Sequence, residues 1–230
     1  NTKIKIITID ESSLKIFKNY VLLDNIYKKK FSIVYNNLDE SNINSAIKVF
    51  FCIGYIKKNN SLTPKWAKLL ALIFLTHKII NEPFFNSLRT EQQLGYIVKS
   101  FIDKIGSSRY PYYGYSFLIQ SDKKKTIYMN KRIEEFLKKL KKNLIEKLSE
   151  SHLNKYKNTI ILELNQKDKS LLENFNHNSS QIINSDYSFN YREIISSKVK
   201  KVKRNDLINF FNNIFINKYS KVVIIGSEKK

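Results

Sequence analysis

Cysteine is almost missing from these 230 residues: Cys52 stands alone, which excludes an internal disulfide and any cysteine-built metal site. It sits in the apolar run Val49-Phe50-Phe51-Cys52-Ile53 and reads as a small buried hydrophobe. Histidine is scarce as well. His77, His152 and His177 include no pair at the three- or four-residue spacing that sets two ligands on one helix face. Glu82 follows His77 by five residues, a different helical face, so shared coordination is not expected. Neither H-E-x-x-H nor H-x-x-E-H occurs, nor does G-x-S-x-G. The five glycines are isolated at 54, 95, 106, 114 and 226, which excludes a glycine-rich phosphate loop. Carboxylate pairs such as Glu134-Glu135 stand on the polar side of a lysine-rich segment, where ion pairing is the default. Read residue by residue, the chain carries no recognisable catalytic centre.

Long hydrophobic runs are missing too. The longest, Leu69 to Leu75, is far too short to span a bilayer, and no segment has the make-up of a targeting peptide. The first residue is Asn1 rather than Met, which suggests a piece of a longer polypeptide.

What is abundant is positive charge. There are 41 Lys and Arg against 20 Asp and Glu, a net charge of +21. Such an excess is compatible with nucleic acid, an anionic membrane surface or acidic substrates. Only five of the basic residues are Arg, the side chain suited to bidentate phosphate contacts, and no stacking-aromatic motif accompanies them. The lysines are scattered, with short clusters at 28–30, 123–125 and 138–142, and read as a solvated surface. Neither a nucleic-acid nor a membrane partner is expected.

With 42% hydrophobic and 13% aromatic residues the chain can bury one sizeable core. Strand patterns occur at Lys3–Ile9, Phe31–Tyr35 and Ala46–Ile56, the last two reading as a hairpin or meander pair. Thr63-Pro64 opens a helix whose apolar face carries Trp66, Leu69, Leu70, Ile73, His77 and Ile80. A second short helix is expected over Pro83–Gln93, stopped by Gly95. Strands follow at Tyr96–Ile102 and Tyr112–Gln120. Met129, Ile133, Phe136, Leu137, Leu140, Leu144 and Leu148 form one amphipathic stripe. Further helices are expected at about 150–167, 170–185, 190–198 and from Asn205 or Asp206 to Ile216, with a final strand at Tyr219–Ile225. The order predicts an α+β domain with a largely antiparallel β-sheet covered by helices on one face.

One segment differs from the rest in content. Asn81 to Tyr96 is polar and aromatic and contains a single basic residue, Arg89. Arg89 and Tyr96 are two helical turns apart and share a face if the helix persists to Tyr96. A guanidinium and a phenol so placed could hold a peptide carbonyl and a developing oxyanion. An ordinary surface arginine and a strand-edge tyrosine would give the same spacing.

Glu82-Pro83, Phe85-Asn86, Leu88-Arg89-Thr90 and Gln93-Leu94-Gly95-Tyr96-Ile97-Val98 resemble the hallmark of the fourth, C-terminal domain of the insulinase (pitrilysin-type, insulin-degrading-enzyme-like) inverted zinc metallopeptidases. Phe117 to Ser121 is similar to the strand that follows there, and the stretch from Gln181 to Phe189 also fits. The resemblance covers roughly residues 25 to 230; residues 1–24 match poorly and are expected to be a lead-in or inter-domain segment. It implies the fold of these metallopeptidase half-domains and a role as the substrate-binding C-terminal domain of an enzyme that degrades peptides in a closed chamber. It further implies that Tyr96 hydrogen-bonds the scissile carbonyl as its oxygen becomes negative, that Arg89 anchors the substrate main chain, and that Phe85 lines a substrate pocket. No metal ligand or cofactor is expected in this chain. Zinc is expected in an absent N-terminal domain, which with peptide substrates would be the partner, so the chain alone should be inactive. A non-catalytic scaffold or peptide-holding subunit of the same family is the alternative, followed by a basic nucleic-acid-binding module.

Overall fold

The computed structural model describes residues 5–8, 30–35, 43–55, 62–106, 111–183, 187–217 and 221–226. The boundary expected between residues 24 and 25 lies outside them, as does the lysine pair 28–29. Six strands form one sheet: β1 (Lys5–Thr8), β2 (Lys30–Tyr35), β3 (Ser45–Tyr55), β4 (Ile97–Gly106), β5 (Pro111–Ser121) and β6 (Lys221–Gly226). Their spatial order is β1-β2-β6-β3-β5-β4. β6 is antiparallel to β3, as β3 is to β5 and β5 to β4, whereas β1, β2 and β6 run parallel to one another. The sheet is therefore mixed, with its antiparallel half at the β4 edge.

The hairpin expected between β2 and β3 does not form. β6 lies between them, pairing Val34 with Ile225 on one side and Val49 with Val223 on the other. The run Val222 to Ile225 is apolar at every position, which suits a strand with neighbours on both edges rather than a sheet margin.

Among the described residues, six α-helices accompany the sheet: α1 (Pro64–Phe85), α2 (Thr126–Leu140), α3 (Glu150–Asn165), α4 (Leu171–Ile183), α5 (Tyr191–Lys201) and α6 (Arg204–Phe211). Alternation along the strands sends Ile47, Val49 and Phe51 of β3, Val98 of β4, and Tyr115, Phe117 and Ile119 of β5 into one core with the helices' apolar residues. Phe117 is its centre, with ring centroids 4.8 Å from Phe84, 5.2 Å from Tyr115, 5.9 Å from Phe51 and 6.0 Å from Phe215. Cys52 is buried as expected, and burial pushes its thiol up to about 12, far from a reactive thiolate.

Helix α1 is the structural axis. Its N-cap is Thr63, whose hydroxyl accepts from the Trp66 N–H at 3.4 Å, with Pro64 following. A single apolar face was the expectation, but burial extends round the helix to include Ala67, Ala71, Leu72, Leu75, Thr76, Ile79 and Phe84. The reason is position: β4 packs on one side while α3, α5 and α6 pack on the others. Trp66, Leu69, Leu70 and His77 end up half-buried at the margins.

The separate helix expected from Pro83 is also absent. Helix α1 runs through Pro83 to Phe85 and passes directly into a wide π-type turn over Asn86–Glu91. Near a helix end, proline forfeits one backbone bond, and the burial of Phe84 and Leu88 on either side offsets that loss. Equivalent wide turns extend α2 at Lys141–Ile145 and α6 at Asn212–Ile216. The first of these advances the helical phase, so Ile145 is buried in place of the expected Leu144, which is only half-buried.

Candidate functional site

A cleft of about 920 Å³ opens where the last turns of α1 meet the free edge of the sheet. Its α1 wall carries His77, Asn81, Glu82 and Phe85, and the facing wall is Tyr96 to Phe101 leading into β4. Phe85 and Tyr96 are the exposed aromatics, 49% and 46% accessible. An exposed ring on each side of a concave surface is what peptide side chains bind against.

The connection between the walls explains how the local sequence works. Gln92 donates its N–H to the Ser87 carbonyl at 3.2 Å, and Leu94 donates to the Leu88 carbonyl at 3.0 Å, closing the π-type turn. Leu88 and Leu94 are both buried and pin the turn to the core. Gln93 turns the chain by adopting φ of 47°, so the left-handed stop is Gln93 and not the expected Gly95. Gly95 serves a different purpose, because a Cβ there would stand 2.1 Å from the Gln120 carbonyl oxygen. Without a side chain, the backbone lies close against β5, and the Tyr96 N–H donates to that same oxygen at 3.1 Å. From α2, Arg132 donates to Gln92 Oε1 at 2.6 Å and pairs with Glu135, while Gln92 donates to Ser87 Oγ at 3.2 Å.

Of the three expected site residues, Phe85 and Tyr96 share the cleft. Arg89 sits half-buried on the adjoining π-type turn and is not among the residues that line it. The helix does not persist to Tyr96, so the shared helical face expected for Arg89 and Tyr96 is not how they are related.

Beneath the cleft lies a polar chain that spacing did not reveal. Ser100 Oγ donates to Asn81 Oδ1 at 3.2 Å, and Tyr115 Oη donates to Ser100 Oγ at 3.0 Å. With its only proton given to Ser100, the Tyr115 oxygen accepts from His77 Nδ1, 3.0 Å away. This fixes the Nδ1–H tautomer and leaves Nε2 of His77 as an acceptor when the ring is neutral. Burial, reinforced by the neighbouring Lys78, holds His77 below its ordinary range, while Glu163 opposes the shift. Burial pushes the Tyr115 phenol well above its ordinary value, so it stays protonated. Asn81 one turn beyond His77 was visible in the sequence, but Ser100 and Tyr115 reach it only through the sheet.

Among the described residues no three His, Cys, Asp or Glu side chains cluster in a way that could hold a metal ion. No described helix is long and apolar enough to cross a membrane.

Comparison with known proteins agrees with the geometry. A family model described as PQQ synthase PqqF-like, C-terminal lobe domain 4, matches residues 75–179, which contain the whole cleft. The chain is 29% identical over 182 residues to a nardilysin-like protein of Arabidopsis thaliana and 28% identical over 181 residues to the insulin-degrading enzyme of Bos taurus. These alignments cover 78% and 79% of this chain. The chain is similar to the C-terminal domains of insulinase-family proteins. It spans only 16% of the length of either relative. Among solved structures, pitrilysin superposes with a TM-score of 0.68 at 22% identity, covering 90% of this chain and 20% of that one. A protease from Helicobacter pylori superposes with a TM-score of 0.63 at 13% identity, covering 88% and 45% respectively. At these identities the structural likeness speaks for the fold alone.

Proposed function

We propose that this domain is the substrate-binding C-terminal part of a zinc metalloendopeptidase that degrades peptides in a closed chamber. It completes an active site whose metal is held by an N-terminal half, and by itself it is inactive. The observation that carries this reading is the placing of Phe85 and Tyr96, both exposed, on one cleft beside the Arg89 turn. The names of the curated relatives, insulin-degrading enzyme and nardilysin-like, support peptide hydrolysis as the reaction class of the whole protein.

In this reading each side chain has one role. The Tyr96 hydroxyl donates a hydrogen bond to the scissile carbonyl oxygen and gains strength as that oxygen becomes negative. Arg89 offers fixed N–H donors to substrate main-chain carbonyls. Phe85 gives an apolar surface for a substrate side chain. The π-type turn and the Gly95 contact hold the backbone of all three, so little reorganisation is left for the reaction step.

The test is peptide hydrolysis by the full-length polypeptide. Tyr96→Phe should lower kcat roughly a hundred- to thousandfold, as loss of one oxyanion donor does. Arg89→Ala should lower kcat/KM, while the isolated 230-residue chain should show no turnover. Wild-type rates in both variants would overturn the assignment and favour a non-catalytic, peptide-holding subunit.

A further inference from the structure

The hydrogen bonds beneath the cleft begin and end on its wall. His77 Nδ1–H donates to Tyr115 Oη, Tyr115 donates to Ser100 Oγ, and Ser100 donates to Asn81 Oδ1, at 3.0, 3.0 and 3.2 Å. The two middle members are withdrawn from solvent, Tyr115 fully and Ser100 to 5% exposure. The two end members, His77 and Asn81, line the cleft. They stand four residues apart on α1, so their side chains are neighbours on one helical face.

Each hydroxyl has one proton to give, so the direction of the first bond sets the other two. The series consumes the ring proton of neutral His77 and the carbonyl oxygen of Asn81. What it leaves is complementary: Nε2 of His77 is an acceptor and Nδ2 of Asn81 is a donor. Neither atom has a hydrogen-bond partner among the described residues. Nε2 is not sealed in the core, because Asn212 Oδ1 is the only buried, unpartnered side-chain polar atom among the described residues. Desolvation holds His77 below its ordinary range, so the ring stays neutral at pH 7 and Nε2 keeps its lone pair.

We propose that His77 and Asn81 form a subsite that recognises a neutral amide group of a bound peptide. The amide N–H donates to His77 Nε2, and the amide oxygen accepts from Asn81 Nδ2. An amide carries its donor and its acceptor on separate atoms, as two side chains one turn apart require. A carboxylate would offer Nε2 no proton, and an ammonium would offer Asn81 no acceptor. The charged residues of the lining, Glu82 and Lys99, are both exposed and opposite in sign, so they give no net preference for a charged ligand. Phe85, Tyr96 and Phe101 supply apolar surface beside the polar pair. The inference rests on the reading of this cleft as a peptide-binding surface.

The test is binding rather than turnover. Acetyl-glutamine methylamide is titrated at millimolar concentration into the 230-residue chain carrying nitrogen-labelled histidine, and the ring nitrogens are followed by NMR. The Nε2 signal of His77 should move saturably. Asn81→Asp keeps an oxygen for Ser100 and removes only the donor, so the fold should persist while affinity falls roughly tenfold, the loss of one hydrogen bond. Lys123→Ala, outside the cleft, should leave affinity unchanged. Acetyl-norleucine methylamide keeps the main-chain amides and lacks the carboxamide. Weaker binding of this probe identifies a glutamine- or asparagine-type side chain as the recognised group, and equal binding identifies the main chain. A stationary Nε2 signal, or equal affinity in Asn81→Asp, would overturn the subsite. Peptide hydrolysis by the full-length polypeptide would still decide the peptidase reading separately.

Discussion

The ring of His77 meets the hydroxyl of Tyr115 at 3.0 Å, joining the central helix to the middle of the antiparallel sheet. His77 is half-buried beside Lys78, and desolvation first, then that charge, hold its folded pKa below the ordinary 6.5. Between these two values the unfolded chain binds a proton that the folded chain does not. Stability should therefore be full above about pH 6.5, fall as pH drops through that range, and level off below the folded value. His77→Gln should flatten the dependence of melting temperature on pH below about 6.5. An unchanged slope in the variant would show that His77 is not responsible. Nitrogen-resolved NMR should find the neutral ring protonated at Nδ1.

Gly95 and Gln120 supply a second test. A Cβ at residue 95 would meet the Gln120 carbonyl oxygen at 2.1 Å and its carbon at 2.8 Å, and neither backbone atom can move without displacing β5. Gly95→Ala should destabilise the chain by about 3 kcal/mol through overpacking and the strained Tyr96 to Gln120 hydrogen bond. Urea unfolding measures this directly, and a loss under about 1 kcal/mol would contradict the contact. In the full-length polypeptide the same substitution should lower turnover, because Tyr96 follows on the displaced backbone.

Much of this was legible in the sequence, for reasons particular to each element. Thr63-Pro64 marked the start of α1 because capping is local chemistry, written in adjacent residues. The strands at residues 97–106 and 111–121 and the helices after residue 125 followed from periodicity. Sheet order was not legible, since the pairing of β6 with β2 and β3 joins segments far apart in the chain. The end of α1 was misread because Pro83 and Gly95 carry strong local signals. Tertiary burial of Phe84 and Leu88 overrode the first, and the close approach to Gln120 gave the second a different use. At the site, the family resemblance singles out Arg89, Phe85 and Tyr96, of which Phe85 and Tyr96 line the cleft, and the roles of all three are proposals. The His77 to Asn81 chain of hydrogen bonds stayed hidden because its middle members, Tyr115 and Ser100, are supplied by two strands.

The aromatic centre of the core makes its own prediction. Phe117 is fully buried and packs against the rings of Phe84, Tyr115, Phe51 and Phe215. Phe117→Ala should cost about 3–5 kcal/mol, the range for deleting a buried aromatic ring. Phe117→Leu should cost clearly less, because it leaves a smaller void. If the two variants unfolded at the same urea concentration, Phe117 would not be packed as described.

The outer helix α4 differs from the other five in what it exposes. Leu171 is 87% accessible, Leu172 67%, Phe175 63% and Ile183 76%, while Gln181 is its one buried residue. So much apolar side chain on one helix is unusual for a free surface and marks a face that packs against something else. In the proposed whole enzyme the natural occupant is the remainder of the same polypeptide. The isolated chain should bind a hydrophobic dye and self-associate at high concentration. Leu172→Lys with Phe175→Lys should reduce both effects while shifting the urea midpoint little, because these side chains contribute little to the core. The same pair should weaken association with a separately produced N-terminal half. Dye binding that persists undiminished in the double variant would place the sticky surface elsewhere and remove the reason to assign α4 to an interface.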